Sequence, residues 1–376
     1  MMRTSWHTVA ALMLVGGAVG VGPRTPGPLA ASGPAPTVSR FETLHFLSQR
    51  VGWAITPYGI ATSSDGGRVW RWGVHLPPGD RVVGAATAVA DWHGIVWMPV
   101  QARGHQGQIW RWEPGRQVHR IPSPVRASSI TAMAWTSPTT GYLMADPLGP
   151  AGQFDQVQLW ATTDGGGVWH PIAAPPIVGV KTGLSVGGQP RGVWIGAVEL
   201  NPEHPLYHGV VGARGVQWTA LPTFPIPVGL RHDGGGAAGA PVWWSPTRAV
   251  FWVNYANANT RTGPVVLYRT TDGGGRWTIG AVVPGAGSWE GTPSARVGLT
   301  EWVGVSTAAT GIGGLPRATR IWAVRGMSAP RRVGTVPGFV TRLDGVSGML
   351  WALSSVGRHH QVLWISRTGG RTWRPA

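Results

Sequence analysis

Apolar residues alternate with small or polar ones in short runs along most of the chain, and turns rich in glycine or proline separate the runs. ITAMAW at 130–135, GYLMA at 141–145 and VQLWATT at 157–163 are three consecutive examples. Alternation with a period of two over about five to seven residues is typical of half-buried β-strands. The pattern predicts an all-β protein in which consecutive short strands pair with each other.

One strand type recurs along the chain. A small or apolar residue, an aromatic residue and then alternating apolar residues occur at Trp53, Trp97, Tyr142, Trp194, Trp252, Trp302 and Trp351, with gaps of 44, 45, 52, 58, 50 and 49 residues. Four-stranded units of about 40 to 50 residues are typical of propeller blades. We therefore expect a seven-bladed β-propeller of four-stranded antiparallel blades over residues 41–376. Six or eight blades are the alternatives, because the longest gap holds the insert RHDGGGAAGAP.

A glycine-rich turn ends four of these units: SSDGGRVW at 63–70, TTDGGGVW at 162–169, TTDGGGRW at 270–277 and SRTGGRTW at 366–373. The aspartate can accept hydrogen bonds from the following backbone N–H groups and from the Ser/Thr hydroxyl, and glycine tolerates positive φ. We predict a structural hairpin turn, formed by Ser63, Asp65, Gly67, Trp70, Thr162, Asp164, Gly166, Trp169, Thr270, Asp272, Gly274, Trp277, Ser366, Gly370 and Trp373. The tryptophan is expected to contact the next blade. Thr368 stands where the fourth copy would have Asp, and the units from Ile109, Val210 and Ile321 keep strand, turn and strand without the acid.

These turns resemble the Asp-box, or BNR, repeat of sialidase- and sortilin-like propellers. The chain as a whole resembles the exported seven-bladed propellers grouped with the photosystem II assembly and stability factors. The resemblance implies that the boxes join third and fourth strands on the face opposite the usual ligand funnel. It also implies a non-catalytic assembly scaffold.

The charge balance is strongly basic. There are 31 basic and 15 acidic residues, for a net charge of +16, and Lys181 is the single lysine. A net charge of this size creates a positive electrostatic field, which favours an acidic protein segment, an anionic envelope polymer or a membrane surface as partner. A general compositional preference for arginine explains the excess of basic residues equally well. Candidate binding residues in the funnel-side loops are Arg103, Arg126, Lys181, Arg261, Arg317, Arg320, Arg342 and Arg358. Nucleic acid is disfavoured, since the WRW segments at 70–72 and 110–112 fall on strands.

An enzyme is the alternative. A sialidase-like or xyloglucanase-like glycoside hydrolase needs two carboxylates across one bond. Asp146 with Asp155 and Glu199 with Glu203 are weak candidates in loops between second and third strands, where solvated acids are common, so we assign no catalytic residue. The chain has no cysteine, and His359-His360 is an adjacent pair whose side chains would diverge on a strand. We expect no metal and no cofactor.

The N-terminus has the pattern of a secretory signal. Arg3 and His7 precede an apolar run of about 13 residues from Val9 to Val21, which is short for a membrane span of about 20 residues. Cleavage after Gly20 or after Ala31 fits the small residues there. We therefore expect residues 1–31 to be the signal and its exit region, residues 32–40 a proline-rich linker, and the mature protein a secreted or extracytoplasmic monomer.

Overall fold

The ring of seven blades predicted from the repeat is present. The computed structural model describes residues 40–83, 89–90, 95–103, 107–146, 157–175, 180–188, 192–199, 206–212, 215–220, 224–228, 230, 236–255, 263–284, 293–306, 316–326, 328–356 and 360–376. Within them the chain forms thirty β-strands and one turn of 3₁₀ helix, Ala127–Ser129, and the strands build seven blades of four antiparallel strands. No helix in the described part is long and apolar enough to cross a membrane.

The first three blades follow the chain in order. Blade 1 contains β1 (Thr43–Phe46), β2 (Gly52–Thr56), β3 (Gly59–Ser63) and β4 (Arg71–His75). Blade 2 contains β5 (Arg81–Val82) and β6 (Val89–Ala90), two pieces of one interrupted inner strand, then β7 (Val96–Gln101), β8 (Gln108–Trp112) and β9 (His119–Pro122). Blade 3 contains β10 (Ile130–Trp135), β11 (Gly141–Ala145), β12 (Gln158–Thr162) and β13 (His170–Ile172).

The next two blades are joined into one sheet. Blade 4 contains β14 (Val180–Gly187), β15 (Gly192–Glu199), β16 (Leu206–Gly212) and β17 (Gly215–Ala220). Blade 5 contains β18 (Gly236–Ala238) and β19 (Val242–Trp243) in its inner position, then β20 (Ala249–Asn254), β21 (Val265–Thr270) and β22 (Thr278–Val283). Because β18 pairs with β15 as well as β20, blades 4 and 5 share a nine-stranded sheet, which the sequence analysis did not predict.

The last two blades are regular. Blade 6 contains β23 (Ser294–Val297), β24 (Thr300–Ser306), β25 (Ala318–Arg325) and β26 (Arg331–Pro337). Blade 7 contains β27 (Phe339–Val346), β28 (Met349–Val356), β29 (His360–Ser366) and β30 (Arg374–Pro375). All four strands of blade 7 come from one continuous stretch, so it takes no strand from the start of the chain.

The hydrophobic core is divided among the seven interfaces between blades. Each of the seven clusters of buried apolar residues contains side chains from two adjacent blades, including the pair formed by blades 7 and 1. One blade has two apolar faces, and stacking in a ring covers both of them. The recurrent aromatic residue of each second strand points to the following blade: Trp53 packs on blade 2 and Trp351 on blade 1, while Ala54 and Leu350 on the opposite faces contact the preceding blades.

The aspartate turns have the hydrogen bonds predicted for a closed hairpin. The Thr162 hydroxyl donates to Asp164 Oδ1 at 2.8 Å, the N–H of Gly166 donates to Thr162 Oγ1 at 2.9 Å, and the N–H of Val168 donates to Asp164 Oδ1 at 3.0 Å. The corresponding bonds recur at Asp65 and Asp272. The acid therefore closes the turn from inside.

These bonds favour the charged carboxylates. The N–H of Val168 and the hydroxyl of Thr162 hold the pKa of Asp164 below its usual value. At Asp65 and Asp272 burial acts to raise the pKa, but the hydrogen bonds outweigh it and the pKa is lowered there too. Folding consequently stabilises the ionised form of all three acids.

The fourth turn closes without an acid. The N–H of Gly370 donates to Ser366 Oγ at 2.8 Å, and the N–H of Thr372 donates to Thr368 Oγ1 at 2.9 Å. The threonine hydroxyl thus takes the acceptor position that Asp164 has in blade 3. Blade 7 keeps the shape of the turn and loses its negative charge.

The turn tryptophans contact the preceding blade, so the prediction that they face the next one was wrong. Trp277 lies 6.0 Å from Trp194 of blade 4, and Trp169 packs in the cluster that contains Trp97 of blade 2. The reason is the direction of the second strands, whose aromatic residues point forward and meet the next blade's turn. At Gly274, with φ +96°, a Cβ atom would lie 2.3 Å from the Trp194 ring, so only glycine fits there.

Blades 7 and 1 close the ring through side chains. Phe46 and Trp351 stack with ring centroids 3.8 Å apart, the N–H of Phe46 donates to Asp344 Oδ2 at 2.5 Å, and the Trp351 indole donates to the carbonyl of Gly66 at 3.0 Å. His45 Nδ1 lies 3.6 Å from Asp344 Oδ1. Burial opposes protonation of His45, but the hydrogen bond and charge of Asp344 prevail and raise its pKa.

Candidate binding site at the mouth of the central channel

The strand directions give the ring two distinct faces. Turns between first and second strands and between third and fourth strands lie at the same end, which we call the turn face. Its glycine turns are anchored there, since the N–H of Gly66 donates to the carbonyl of Arg50 at 2.8 Å and that of Gly273 to Thr247 at 2.9 Å. The remaining loops lie at the opposite end, the loop face, where the resemblance placed the ligand funnel.

A cavity of about 480 Å³ opens on the loop face where inner strands converge. It draws residues from blades 1, 5, 6 and 7, so it lies at the axis of the ring. We call it the channel mouth; it is lined by Arg40, Phe41, Glu42, Gly239, Pro293, Phe339, Val340, Thr341, Arg342, Ser355 and Gln361.

Hydrogen bonds between blades hold the wall of the channel mouth. The N–H of Phe41 in blade 1 donates to Gln361 Oε1 of blade 7 at 2.8 Å. The hydroxyl of Thr319 in blade 6 donates to the carbonyl of Gly338 at 2.9 Å and accepts from the N–H of Val340 at 3.0 Å. The carbonyl of Arg317 accepts from the N–H of Gly338 at 2.8 Å, which places the exposed Arg317 at the rim.

The charges at the channel mouth are two arginines around one acid. Arg40 Nε lies 2.8 Å from Glu42 Oε1, and the Arg40 side chain is 65% exposed. Arg342 is half-buried, and its guanidinium donates to the carbonyl of Thr341 at 2.9 Å. Burial lowers the pKa of Arg342 and Glu42 opposes that effect; arginine stays charged in either case. Arg342 is therefore a partly desolvated cation that interacts with one acid, Glu42.

Three of the predicted basic residues lie in loops on the loop face as expected. Arg103 follows β7, and its backbone N–H donates to Asp80 Oδ1 at 3.0 Å. Arg126 precedes the 3₁₀ turn and Arg317 precedes β25; all three side chains are exposed. They come from different blades, and Arg317 is the one beside the channel mouth.

Three others lie on strands, so their assignment to loops was wrong. Arg320 is the third residue of β25 and pairs with Val305, and Arg342 is the fourth residue of β27. Lys181 is the second residue of β14. The strands extend further towards the loop face than the turn residues suggest, and β14 and β27 each carry a register shift at this point. Arg261 and Arg358 lie outside the described residues.

One carboxylate of each candidate pair, Asp146 and Glu199, lies among the described residues. Asp146 follows β11 in blade 3, and its N–H donates to the carbonyl of Ser129 at 2.8 Å. Glu199 is the last residue of β15 in blade 4 and pairs with Gly236 of β18, so its placement in a loop was wrong; β18 extends the sheet at this point. Asp155 and Glu203 lie outside the described residues.

A buried charge cluster between blades 5 and 6 was not anticipated. Glu301 is 5% exposed and Arg269 is 7% exposed, while the Arg296 guanidinium stacks 3.9 Å from the ring of Trp244. Burial raises the pKa of Glu301 to about 7, against the opposing charges of Arg296 and Arg269. Arg296 and Glu301 stand five positions apart in the sequence and pair across a tight hairpin in the structure. The cluster lies towards the turn face, where Arg296 and Trp244 are partly exposed.

Basic residues are also abundant beside the turn face. In the described part, seven arginines lie near the loop face, whereas twelve exposed or partly exposed ones lie at or next to the turns: Arg50, Arg68, Arg71, Arg116, Arg248, Arg276, Arg325, Arg331, Arg332, Arg367, Arg371 and Arg374. The binding residues predicted from the sequence were all assigned to the funnel side. Both faces therefore carry positive charge. Among the described residues, no group of three or more His, Asp or Glu side chains is arranged to hold a metal ion.

Comparisons with known proteins support the fold. No protein-family model and no curated protein matches the chain. Its structure is similar to that of YCF48 bound to a D1 peptide (12% identity, TM-score 0.51, 88% of this chain and 92% of the other) and to a streptogramin B lyase (12%, 0.52, 89% and 95%). It is also similar to a chain of the mitotic checkpoint complex (11%, 0.50, 89% and 98%). At such low identity these similarities show a shared propeller fold, which binding proteins and a lyase both use.

Proposed function

We propose that this protein is an exported, non-catalytic scaffold and that its channel mouth docks an acidic segment of a partner protein. The observation that carries the proposal is the charge arrangement there: Arg40 and Arg342 flank Glu42, and Arg317 lies at the rim. A guanidinium group binds a carboxylate through two parallel hydrogen bonds. A partner's carboxylates would therefore share or replace the contacts that Glu42 now makes.

Two further observations favour binding over hydrolysis. The glycosidase mechanism needs two carboxylates about 5 to 9.5 Å apart, and the described lining of the channel mouth contains Glu42 alone. Among proteins of similar fold, YCF48 is seen with a D1 peptide and another propeller is part of the mitotic checkpoint complex. Because a lyase also has a similar fold, the residues of the channel mouth carry the proposal.

The remaining parts of the proposal rest on the sequence. We infer that the glycine turns of blades 1, 3 and 5 are Asp-boxes with a structural role, supported by the hydrogen bonds of Asp65, Asp164 and Asp272, and that the turn with Thr368 in blade 7 is a degenerate copy. Export is supported by the apolar run from Val9 to Val21. An extracytoplasmic scaffold would meet acidic partner segments without competition from nucleic acid.

The test measures binding of a fluorescent ten-residue peptide containing five glutamates, with a five-glutamine peptide as the neutral control. We expect Arg342→Gln and Arg317→Gln each to weaken binding of the glutamate peptide by about tenfold, the effect of losing one good charged contact. Arg371→Gln, an exposed change on the turn face, removes the same charge and serves as the matched control. Fluorescence anisotropy at constant ionic strength gives the affinities.

Two results would count against the proposal. Equal weakening by Arg371→Gln would mean that net charge attracts the peptide without a site. Hydrolysis of aryl glycosides that disappears in Glu42→Gln would favour the enzyme instead. Because Arg317 is exposed, its variant keeps the test valid even if the half-buried Arg342 proves necessary for folding.

A further inference from the structure

The glycine turns alternate around the ring, and the ring has an odd number of blades. They occur in blades 1, 3, 5 and 7. Alternation therefore fails at one interface, where blades 7 and 1 bring two of these turns next to each other. Any surface built from both turns exists once in the molecule.

A groove of about 530 Å³ opens on the turn face at this interface. We call it the closure groove; it is lined by Gln49, Arg50, Asp65, Arg68, Ser347, Gly348, Met349 and Arg367. Arg68 belongs to the glycine turn of blade 1 and Arg367 to that of blade 7. Arg50 comes from the turn between β1 and β2, so three different turns each contribute one guanidinium group.

The closure groove has an excess of positive charge. Arg50, Arg68 and Arg367 are exposed, and none of them takes part in an ion pair among the described residues. Asp65 is the one carboxylate in the lining, and its Oδ1 atom already accepts from the Ser63 hydroxyl and from the N–H groups of Arg68 and Val69. On the other side, Thr368 stands directly after Arg367 where an acidic turn would place a second negative charge.

The walls of the groove are held in place without a ligand. Gln49 Nε2 donates to the carbonyl of Ser347 at 3.0 Å, which ties the hairpin turns of blades 1 and 7 together. The N–H of Gly66 donates to Arg50, and the carbonyl of Gly66 accepts from the Trp351 indole. Ser347 adopts φ +49°, the one positive value at a non-glycine residue in the described part, followed by Gly348 at +81°. A fixed backbone lowers the cost of orienting the arginines on a ligand.

We propose that the closure groove binds a ligand that carries a phosphoryl group. Three guanidinium groups against one already occupied carboxylate match an anion with about two negative charges, as a phosphate monoester has near neutral pH. The volume admits such a group with a small organic portion, and Met349 offers an apolar contact. The site lies on the opposite face from the channel mouth and does not depend on the function proposed there.

The experiment titrates the protein with glycerol 2-phosphate and inorganic pyrophosphate by calorimetry at constant ionic strength, with citrate as a carboxylate anion. Saturable binding at one site is expected for the phosphoryl compounds, with citrate at least tenfold weaker. Arg68→Gln and Arg367→Gln should each weaken binding by about tenfold or more, whereas Arg276→Gln, in the lone glycine turn of blade 5, should leave it unchanged. A soluble poly(glycerol phosphate) that binds more tightly per phosphate would identify a polymer as the source; equal binding would identify the free ester.

Thr368→Asp distinguishes an effect on ligand binding from an effect on stability. The variant restores the acidic turn, so thermal stability should be kept or raised while affinity for glycerol 2-phosphate falls severalfold. Unchanged affinity in Arg68→Gln and Arg367→Gln, equal loss in Arg276→Gln, or citrate binding as tightly as pyrophosphate would overturn the proposal. Arg342→Gln at the channel mouth should have no effect here, so the two proposals can fail separately.

Discussion

Two interfaces, between blades 7 and 1 and between blades 1 and 2, are built around the same recurrent tryptophan. Only the first includes a glycine turn, which belongs to blade 1. Trp351 is fully buried, stacks on Phe46 and donates its indole N–H to Gly66. Trp53 is 3% exposed in an apolar cluster, and its indole nitrogen has no hydrogen-bond partner. The Trp302 indole likewise donates to the carbonyl of Gly369, in the glycine turn of blade 7.

The glycine turn adds to an interface that can form without it. Blades 1 and 2 are joined by apolar contact and by a hydrogen bond from the N–H of Val82 to the carbonyl of Pro57 at 2.9 Å, so the glycine turn is not required for stacking. Where it is present, it provides a flat backbone surface and, at two interfaces, a carbonyl acceptor for the indole. At Gly274 of blade 5 the fit depends on glycine, because a side chain there would enter the space that the Trp194 ring occupies.

Substituting two glycines with positive φ should change the free energy of unfolding most, and by different amounts. Gly274→Ala places a methyl group against Trp194 at a φ of +96°, whereas Gly115→Ala, at +76° in the turn of blade 2 that lacks the motif, meets nothing within 4 Å. Backbone strain costs about 1 kcal/mol in both variants, and overlap adds about 1 to 3 kcal/mol in the first. We expect a loss of about 3 kcal/mol for Gly274→Ala and about 1 kcal/mol for Gly115→Ala in urea denaturation. Equal losses would show that the turn is not fitted to the tryptophan.

A smaller effect separates the two tryptophans. Both Trp351→Phe and Trp53→Phe remove similar apolar area, but only the first leaves a buried carbonyl, that of Gly66, without its donor. The free energy of unfolding should fall by about 1 kcal/mol more for Trp351→Phe. Thermal and urea denaturation of the two variants would measure the difference. If Trp53→Phe is the more damaging change, the indole hydrogen bond adds nothing to the interface.

The smallest effect is a dependence on acid. The folded-state pKa of Asp65, Asp164 and Asp272 lies below the unfolded value of about 3.9. Their contribution to stability is therefore present above about pH 4 and is lost as pH falls through the lowered folded values. Replacing all three with Thr, as in blade 7, should flatten the plot of unfolding free energy against pH between about 2 and 4. Thr368→Asp should steepen it, and an identical slope in all three proteins would remove the aspartates as the cause.

The ring could be predicted from the sequence because each repeat contains a large aromatic residue, and four of the repeats contain a glycine turn. Each second-strand aromatic residue fills one interface, so their spacing reports the number of blades directly. The pairing of β18 with both neighbours was not predictable, since Gly236–Ala238 carries no apolar alternation. The extent of β25 and β27 was also missed, because Arg320 and Arg342 were taken as loop residues on account of their charge.

The sites were harder to predict than the fold. Glu42, at the channel mouth, precedes the first strand and is brought to Arg342 only when the ring closes, about 300 residues later in the chain. The closure groove depends on the same event, because Arg68 and Arg367 are neighbours solely through the meeting of the first and last blades. Local patterns contain no information on contacts of that separation.

Because side-chain contacts between blades 7 and 1 close the ring, blade 1 stays partly uncovered while the chain is synthesised. The face of blade 1 that contains Phe46 is covered only by residues of blade 7, including Asp344 and Trp351, which follow it by about 300 residues. At about 5 to 20 residues per second, a ribosome takes roughly 15 to 60 seconds to produce that length. Throughout this time the nascent chain carries an uncovered apolar surface, and the first blade to be made is the last to be protected on both sides.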